Sequence, residues 1–184
     1  ATFPQQKSSA LLLQGLTNLY LHFNDHESAV RTAKALLAIE PPVDEKLRLE
    51  SATVIADAQF DKGNFEEADK AYQQVLAFNI TDPKQKAVYQ DRLATTYYQK
   101  KKKLRDDKNP EQASQIFLKA ADMASDAKLK ATASFDAADV LYKAEKYAEA
   151  IPVMIAFKSK NPDSPQAQDM LEKLAFAYEK SGDL

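Results

Sequence analysis

The chain has no cysteine, so neither a disulfide framework nor thiolate chemistry is open to it. Cysteine-free chains suit reducing and oxidising compartments alike. Only three glycines, Gly15, Gly63 and Gly182, stand among 184 residues, too few turn signals for a hairpin-rich sheet protein. No run approaches the roughly 18 uninterrupted apolar residues of a membrane span; the best candidate, Ala10 to Leu13, breaks at Gln14. Basic excess is also missing: the formal net charge is −2, which excludes a surface generally suited to coating nucleic acid. There is no glycine-rich phosphate loop, no nucleophile elbow and no metal-spaced cluster. The chain is therefore not expected to be an enzyme, and no cofactor, metal or small-molecule substrate is expected. It opens on Ala1 rather than methionine, so any targeting segment is expected to have been removed or left out.

What is abundant is alanine, leucine, lysine, glutamine and acidic residues, a helical composition, with 45% hydrophobic residues to supply a core. Amphipathic segments recur in pairs, joined near a small residue that is followed four positions on by a large one. The registering alanines are Ala29, Ala68, Ala113 and Ala150, at spacings of 39, 45 and 37 residues, within the range that signals a solenoid. The pattern predicts helices over about Ser8–Phe23 and Glu27–Ile39, Glu45–Lys62 and Glu66–Ala77, Pro83–Lys101 and Pro110–Ala124, then Ala127–Ala144 and Ala148–Lys160, with a lone ninth over Pro165–Lys180. Asn24 with Glu27, Asn64 with Glu67, and Asn109 with Pro110 and Gln112 read as helix starts, each asparagine capping free N–H groups. The long second spacing is expected to hold an inserted loop, Lys100 to Asn109. Pro152 falls near the start of its helix and predicts a local kink unless the helix begins late.

The residues resemble the tetratricopeptide repeat (TPR) family. Leu13, Leu16, Tyr20, Ala29 and Pro41 fall in its pattern, with Thr17 and Ala33 replacing a small and an aromatic residue. Ile55, Ala56, Ala68 and Tyr72 match in the second unit, where Gln59 replaces tyrosine. Leu93, Ala94, Tyr97, Ala113 and Phe117 match in the third. Ala138, Ala150 and Pro162 match in the fourth, with Met154 for the aromatic, and Leu171, Leu174, Ala175, Tyr178 and Gly182 match in the ninth helix. The resemblance implies an all-α, right-handed α-solenoid of about nine helices forming one domain over 1–184. Its units are about 8–42, 43–82, 83–125 and 126–163, with an unpaired helix at 165–181. An array that stops after one helix of a pair is expected to be a fragment of a longer one, with Leu174 and Tyr178 facing a missing helix and offering a route to self-association. Spacings above the usual ~34 residues and the Asn161-Pro162-Asp163-Ser164-Pro165 turn are similar to envelope TPR proteins of Gram-negative bacteria. That likeness implies a periplasmic or envelope location, with the cytoplasm as the alternative.

The family's function is protein binding without catalysis, and the resemblance turns two positions of each first helix toward a concave groove. Here those positions hold Leu21, Phe60, Tyr98 and Tyr142, and Asn18, Asp57, Thr95 and Asp139. Aromatic area flanked by acceptors suits an extended or helical segment of a partner protein; the same aromatics also suit packing against neighbouring helices. The lysine, arginine and asparagine clamp of the chaperone-binding members is missing. Two alternatives stand beside the groove reading. One is a structural, oligomerising subunit of an envelope complex. The other is an anionic-surface binder using Lys100, Lys101, Lys102, Lys103 and Arg105, which Asp106 and Asp107 offset. His22 and His26, the only histidines, are spaced as on a zinc-binding helix, but Asn24-Asp25 reads as a turn between them and no third ligand is evident.

Overall fold

The computed structural model describes residues 4–103 and 109–182. All regular structure among them is helical: α1 Pro4–His22, α2 His26–Leu37, α3 Glu45–Asp61, α4 Phe65–Leu76, α5 Pro83–Lys103, α6 Pro110–Met123, α7 Ala127–Lys143, α8 Tyr147–Lys160 and α9 Pro165–Ser181. The nine expected helices are present among the described residues, and their ends agree with the sequence reading to within two residues except at the start of α1. Helix α1 starts earlier because Gln5, Gln6 and Lys7 are adequate helix formers. Helix α5 runs on to Lys103 because lysine sustains a helix and no breaker intervenes, so Lys100–Lys103 form a last helical turn rather than a loop. Residues 104–108, the remainder of the expected insertion, including Arg105, Asp106 and Asp107, lie outside the described residues.

The chain divides into two compact units, Ala1–Tyr89 and Gln90–Leu184. In the first, α2 packs on α1 and α3, and α3 packs on α4; in the second, α7 packs on α6 and α8, and α9 packs on α8 and α7. Within each unit these helices pack on sequence neighbours, the local connectivity of a helical-repeat protein.

The turn inside a pair is a recurring device. Asn24, Gly63 and Glu145 all have left-handed backbone, with φ of 57°, 71° and 59°. Each stands five residues before a registering alanine. The residue after each one donates its N–H to a carbonyl in the last turn of the first helix: Asp25 to Tyr20, Asn64 to Gln59 and Lys146 to Leu141, at 2.9, 2.9 and 3.0 Å. This is the Schellman closure of the first helix, and the donor residue also opens the second helix. One expected cap therefore moves: Asp25, not Asn24, accepts from the Ser28 N–H at 3.0 Å, while Asn24 occupies the left-handed position that asparagine tolerates. Asn64 opens α4 without a side-chain cap; its amide donates to Gln59 Oε1 at 3.0 Å instead. Glu67 pairs with Lys70 at 2.8 Å. Only Asn109 caps as expected, accepting from the Gln112 N–H at 3.0 Å with Pro110 in the first position. Aspartates not read from the sequence, Asp44 and Asp126, cap the first helices α3 and α7. Pro152 lies inside α8, five residues after the helix begins at Tyr147.

A second device closes three of the four repeats. A polar side chain early in a first helix grips the backbone that follows the second helix, 34 residues on. Gln6 donates to the Glu40 carbonyl at 2.6 Å. Glu45 accepts from the Asn79 N–H at 3.1 Å. Asp91 accepts from the Ser125 N–H at 2.5 Å and the Asp126 N–H at 3.1 Å. These groups satisfy backbone polar atoms that the end of a helix leaves open.

The registering alanines are all buried: Ala29, Ala68 and Ala150 at 0% exposure and Ala113 at 2%. Ala150 sits in a cluster with Leu141, Met154, Phe157 and Met170, drawn from α7, α8 and α9. A methyl group at these positions sets how closely the helices approach. Replacing Ala68 or Ala113 by leucine should cost about 1–3 kcal/mol through overpacking. Chemical denaturation of each variant checks this, and unchanged midpoints would show the alignment of the repeats to be wrong.

Candidate functional site

Leu21, Phe60 and Tyr142 occupy one repeat position, since the carbonyl of each accepts from the left-handed turn residue three places on. Asn18, Asp57 and Asp139 stand one helical turn earlier. Four of the eight expected site residues, Asn18, Leu21, Asp57 and Phe60, belong to the first compact unit, and Thr95, Tyr98, Asp139 and Tyr142 to the second.

In the first unit Asn18 is exposed, and Leu21, Asp57 and Phe60 are half-buried. Phe60 packs edge-on against Phe65 with ring centres 5.5 Å apart. The Asp57 carboxylate accepts a short hydrogen bond from the hydroxyl of buried Tyr72. Asp57 is thus tied to α4.

In the second unit Tyr98 and Asp139 are engaged between first helices, and Thr95 within its own. The Tyr98 hydroxyl donates to Asp136 Oδ2 on α7 at 2.6 Å, and its ring lies 5.6 Å from that of Phe117. Thr95 turns its hydroxyl back onto the Asp91 carbonyl at 2.7 Å. Asp139 is buried and takes Lys173 of α9 at 2.6 Å and Lys143 at 2.5 Å. Burial pushes the Asp139 carboxyl up, but the hydrogen bonds and charges of Lys143 and Lys173 outweigh it and hold it below the usual carboxylate value. Lys173 also binds Asp169 at 2.9 Å. Tyr98→Asp136 and Lys173→Asp139 join α5 to α7 and α7 to α9, and in the first unit Gln14→Glu50 joins α1 to α3 at 2.5 Å.

Tyr142 lies at the centre of an aromatic group. Its ring meets Tyr147 at 5.7 Å and Phe176 at 6.0 Å, and those two meet each other at 5.8 Å, all edge to face. Phe176 is 39% exposed. The Lys173 ammonium lies 5.0 Å from the Phe135 ring centre and 5.8 Å from that of Tyr142, a cation–π arrangement. Tyr147 and Lys173 escape a sequence reading that follows two fixed repeat positions, because they stand at others, whereas Phe176, six residues before the left-handed Gly182, holds in α9 the position of Asn18, Asp57 and Asp139, a position read only in the four paired units. A signal is available: Phe176 falls 34 residues after Tyr142, the offset at which Lys173 follows Asp139.

Burial, together with the hydrogen bond to Asp136 and that carboxylate's charge, pushes the Tyr98 phenol up to about 12. An unfolded tyrosine ionises near pH 10, so the stability linked to Tyr98 is fully present below about pH 10 and is lost as pH rises through about 12. Ultraviolet titration of phenolate should show a component ionising near 12 that Tyr98→Phe removes. Loss of all tyrosine protons by pH ~11 would contradict the Tyr98 geometry.

His22 ends α1 and His26 begins α2, so the two do not share a helix face; the His22 ring stacks edge-on with Phe23 at 5.3 Å. No three of His, Cys, Asp and Glu come together among the described residues in a way that could hold a metal ion. None of the described helices is long and apolar enough to cross a membrane.

Residues 49–79 match the family model of the tetratricopeptide repeat. They run from within α3 to just past α4 and contain Ala56, Ala68 and Tyr72, the positions that carry the pattern. No curated protein matches the sequence significantly. Among solved structures, the chain is similar to a Podosopora anserina protein described as a putative kinesin light chain with nearly identical TPR-like repeats. The TM-score is 0.44 and the identity 18%, over 95% of this chain and 89% of that one. A point-substituted form of the same protein gives 0.45 and 18%, over 95% and 88%. Tetratricopeptide repeats generally mediate protein–protein interaction, typically as non-enzymatic scaffolds. With Schellman turns recurring in step with the buried alanines and only helices among the described residues, the chain has an all-α helical-repeat fold, and its residues 49–79 match a tetratricopeptide repeat.

Proposed function

We propose that the chain is a protein-interaction scaffold that takes a partner segment on the face of its first helices. The aromatic group of the second unit is the anchor. One observation carries this reading: Tyr142, Tyr147 and Phe176 converge with exposed area remaining on Phe176, although a solvated helix face has no use for three clustered rings. Rigid aromatics supply contact area at small entropic cost, and such residues dominate interaction energies. Tyr98 adds a flanking ring, and the Lys173–Asp139–Lys143 network fixes the helices that carry the anchors. In the first unit Leu21 and Phe60, with Asn18 and Asp57 beside them, hold the corresponding repeat positions and extend the proposal to that unit. Asp57, Tyr98 and Asp139 act mainly by holding the face in shape, because their polar atoms already have partners within the fold.

Selection of peptides from a random displayed library on the isolated chain, followed by amide hydrogen exchange with the tightest peptide bound, tests this. Protection should appear on α7 and α9 around Tyr142 and Phe176. Protection confined to the second helices α6 and α8 would reject the site. The periplasmic or envelope location belongs to the same proposal, on the similarity of the Asn161–Pro165 turn, and osmotic-shock fractionation of the source cells checks it.

A further inference from the structure

Helix α1 buries one side and leaves the other bare. Ala10 joins Leu36 and Val43 in a core cluster against which Leu13 packs, and the buried Thr17 hydroxyl pairs with that of Thr32 at 2.7 Å. On the opposite side Leu11 is 52% exposed, Leu12 65% and Leu19 49%, and Phe23 just beyond the helix end is 70% exposed. From Ser8 to Asn24 the sequence holds no Asp, Glu, Lys or Arg, in a chain that is 28% charged. At the middle of this bare face stands Gly15, where an added Cβ would meet nothing within 4 Å. The fold itself gives no reason for glycine there, and glycine weakens a helix.

We propose that this face is a self-association surface on which two copies of the chain pair through α1, their helices crossing at Gly15. A two-fold contact sets the same patch of the two copies face to face, so a patch charged with one sign would repel itself, and this face carries no Asp, Glu, Lys or Arg. Glycine at the centre lets the second backbone approach closely, with Leu12 and Leu19 on either side of the crossing. The four exposed apolar residues offer roughly 450 Å² per copy, the size of the largest apolar patch on a typical monomer, which is often functional. Two such faces with their rims give about 1,000 Å² in all, the size of a weak, concentration-dependent dimer. A lipid surface suits the face less well, because interfacial helices carry lysine and arginine beside their apolar side, whereas α1 has Lys7 alone. The C-terminal helix is the weaker candidate: Leu174 and Tyr178, expected to be uncovered, pack on the core of α7 and α8, leaving Leu171 at 38% and Phe176 at 39% exposure.

Sedimentation velocity on the chain from about 1 μM to about 1 mM tests the proposal. The sedimentation coefficient should rise with concentration. Leu12→Glu combined with Leu19→Glu should weaken association at least tenfold, whereas Leu171→Glu should leave it unchanged. All three sites are exposed, so circular dichroism should show intact helices. Because the chain has no cysteine, Gly15→Cys introduces a lone thiol at the proposed crossing. It should form a disulfide-linked dimer on mild oxidation, while Lys128→Cys, at an exposed position of α7, should form no disulfide-linked dimer. A monomer at every concentration, or association that ignores the α1 glutamates, or association abolished only by Leu171→Glu, overturns the proposal. So does a chain that stays monomeric yet floats with neutral phosphatidylcholine vesicles.

Discussion

Phe157→Ala should lower the stability of the second unit by about 3–5 kcal/mol, the range for removing a large ring from a closed core. Phe157 is 1% exposed and packs edge to face on Phe135 with ring centres 5.6 Å apart. It shares its cluster with Leu141, Ile151, Met154 and Met170, from three helices. Those helices are held at fixed spacing by turns and by the buried alanines, so they cannot close over the void, and the loss sits near the full transfer-plus-cavity cost. Ile155 supplies the control: on the same helix but 45% exposed, its change to alanine should move stability by less than about 0.5 kcal/mol. Urea unfolding followed by far-ultraviolet circular dichroism measures both, and similar effects would contradict the assignment of the α8 inner face.

Tyr72 gives the corresponding result in the first unit, with a polar part that can be separated. It is 0% exposed, and its hydroxyl donates to Asp57 on α3. Tyr72→Ala removes ring and hydroxyl together and should cost about 3–5 kcal/mol. Tyr72→Phe keeps the ring and removes only the donor, for about 1–1.5 kcal/mol. If Tyr72→Phe leaves the denaturation midpoint unchanged, Asp57 is not a structural partner of α4.

How much of this can be read from the sequence follows from how local each feature is. Helices, pair boundaries and buried alanines depend on spacing within one repeat, and periodicity shows them directly. The turn at Asn24 is instructive: two turn-forming residues stand side by side, and only backbone geometry decides that Asn24 takes the left-handed position while Asp25 caps. The lysine run reads as a loop on charge alone, although lysine is a competent helix former with no breaker before Asn109. The candidate site is half legible. Tyr98 and Tyr142 stand out as aromatics in repeat register, and Phe176 holds the register position of Asp139 in the unpaired α9, but Tyr147, the other ring beside Tyr142, belongs to another position. The acceptors Asp57 and Asp139 look free in the sequence because their partners, Tyr72 and Lys173, lie 15 and 34 residues away. Such cross-helix pairings follow from how helices are packed, which no single window of sequence contains.

The central claim is that partner binding rests on the aromatic group of Tyr142, Tyr147 and Phe176. The dissociation constant of the tightest library-selected peptide, measured by fluorescence anisotropy on matched variants at physiological salt, tests it most directly. Tyr142→Ala and Phe176→Ala should each cost about 2 kcal/mol or more, roughly thirtyfold in affinity. Lys101→Ala with Lys102→Ala, at the end of α5, should change it less than about threefold. Binding abolished by the lysine changes and untouched by both aromatic changes, with the fold intact, would contradict the account and assign recognition to the basic end of α5.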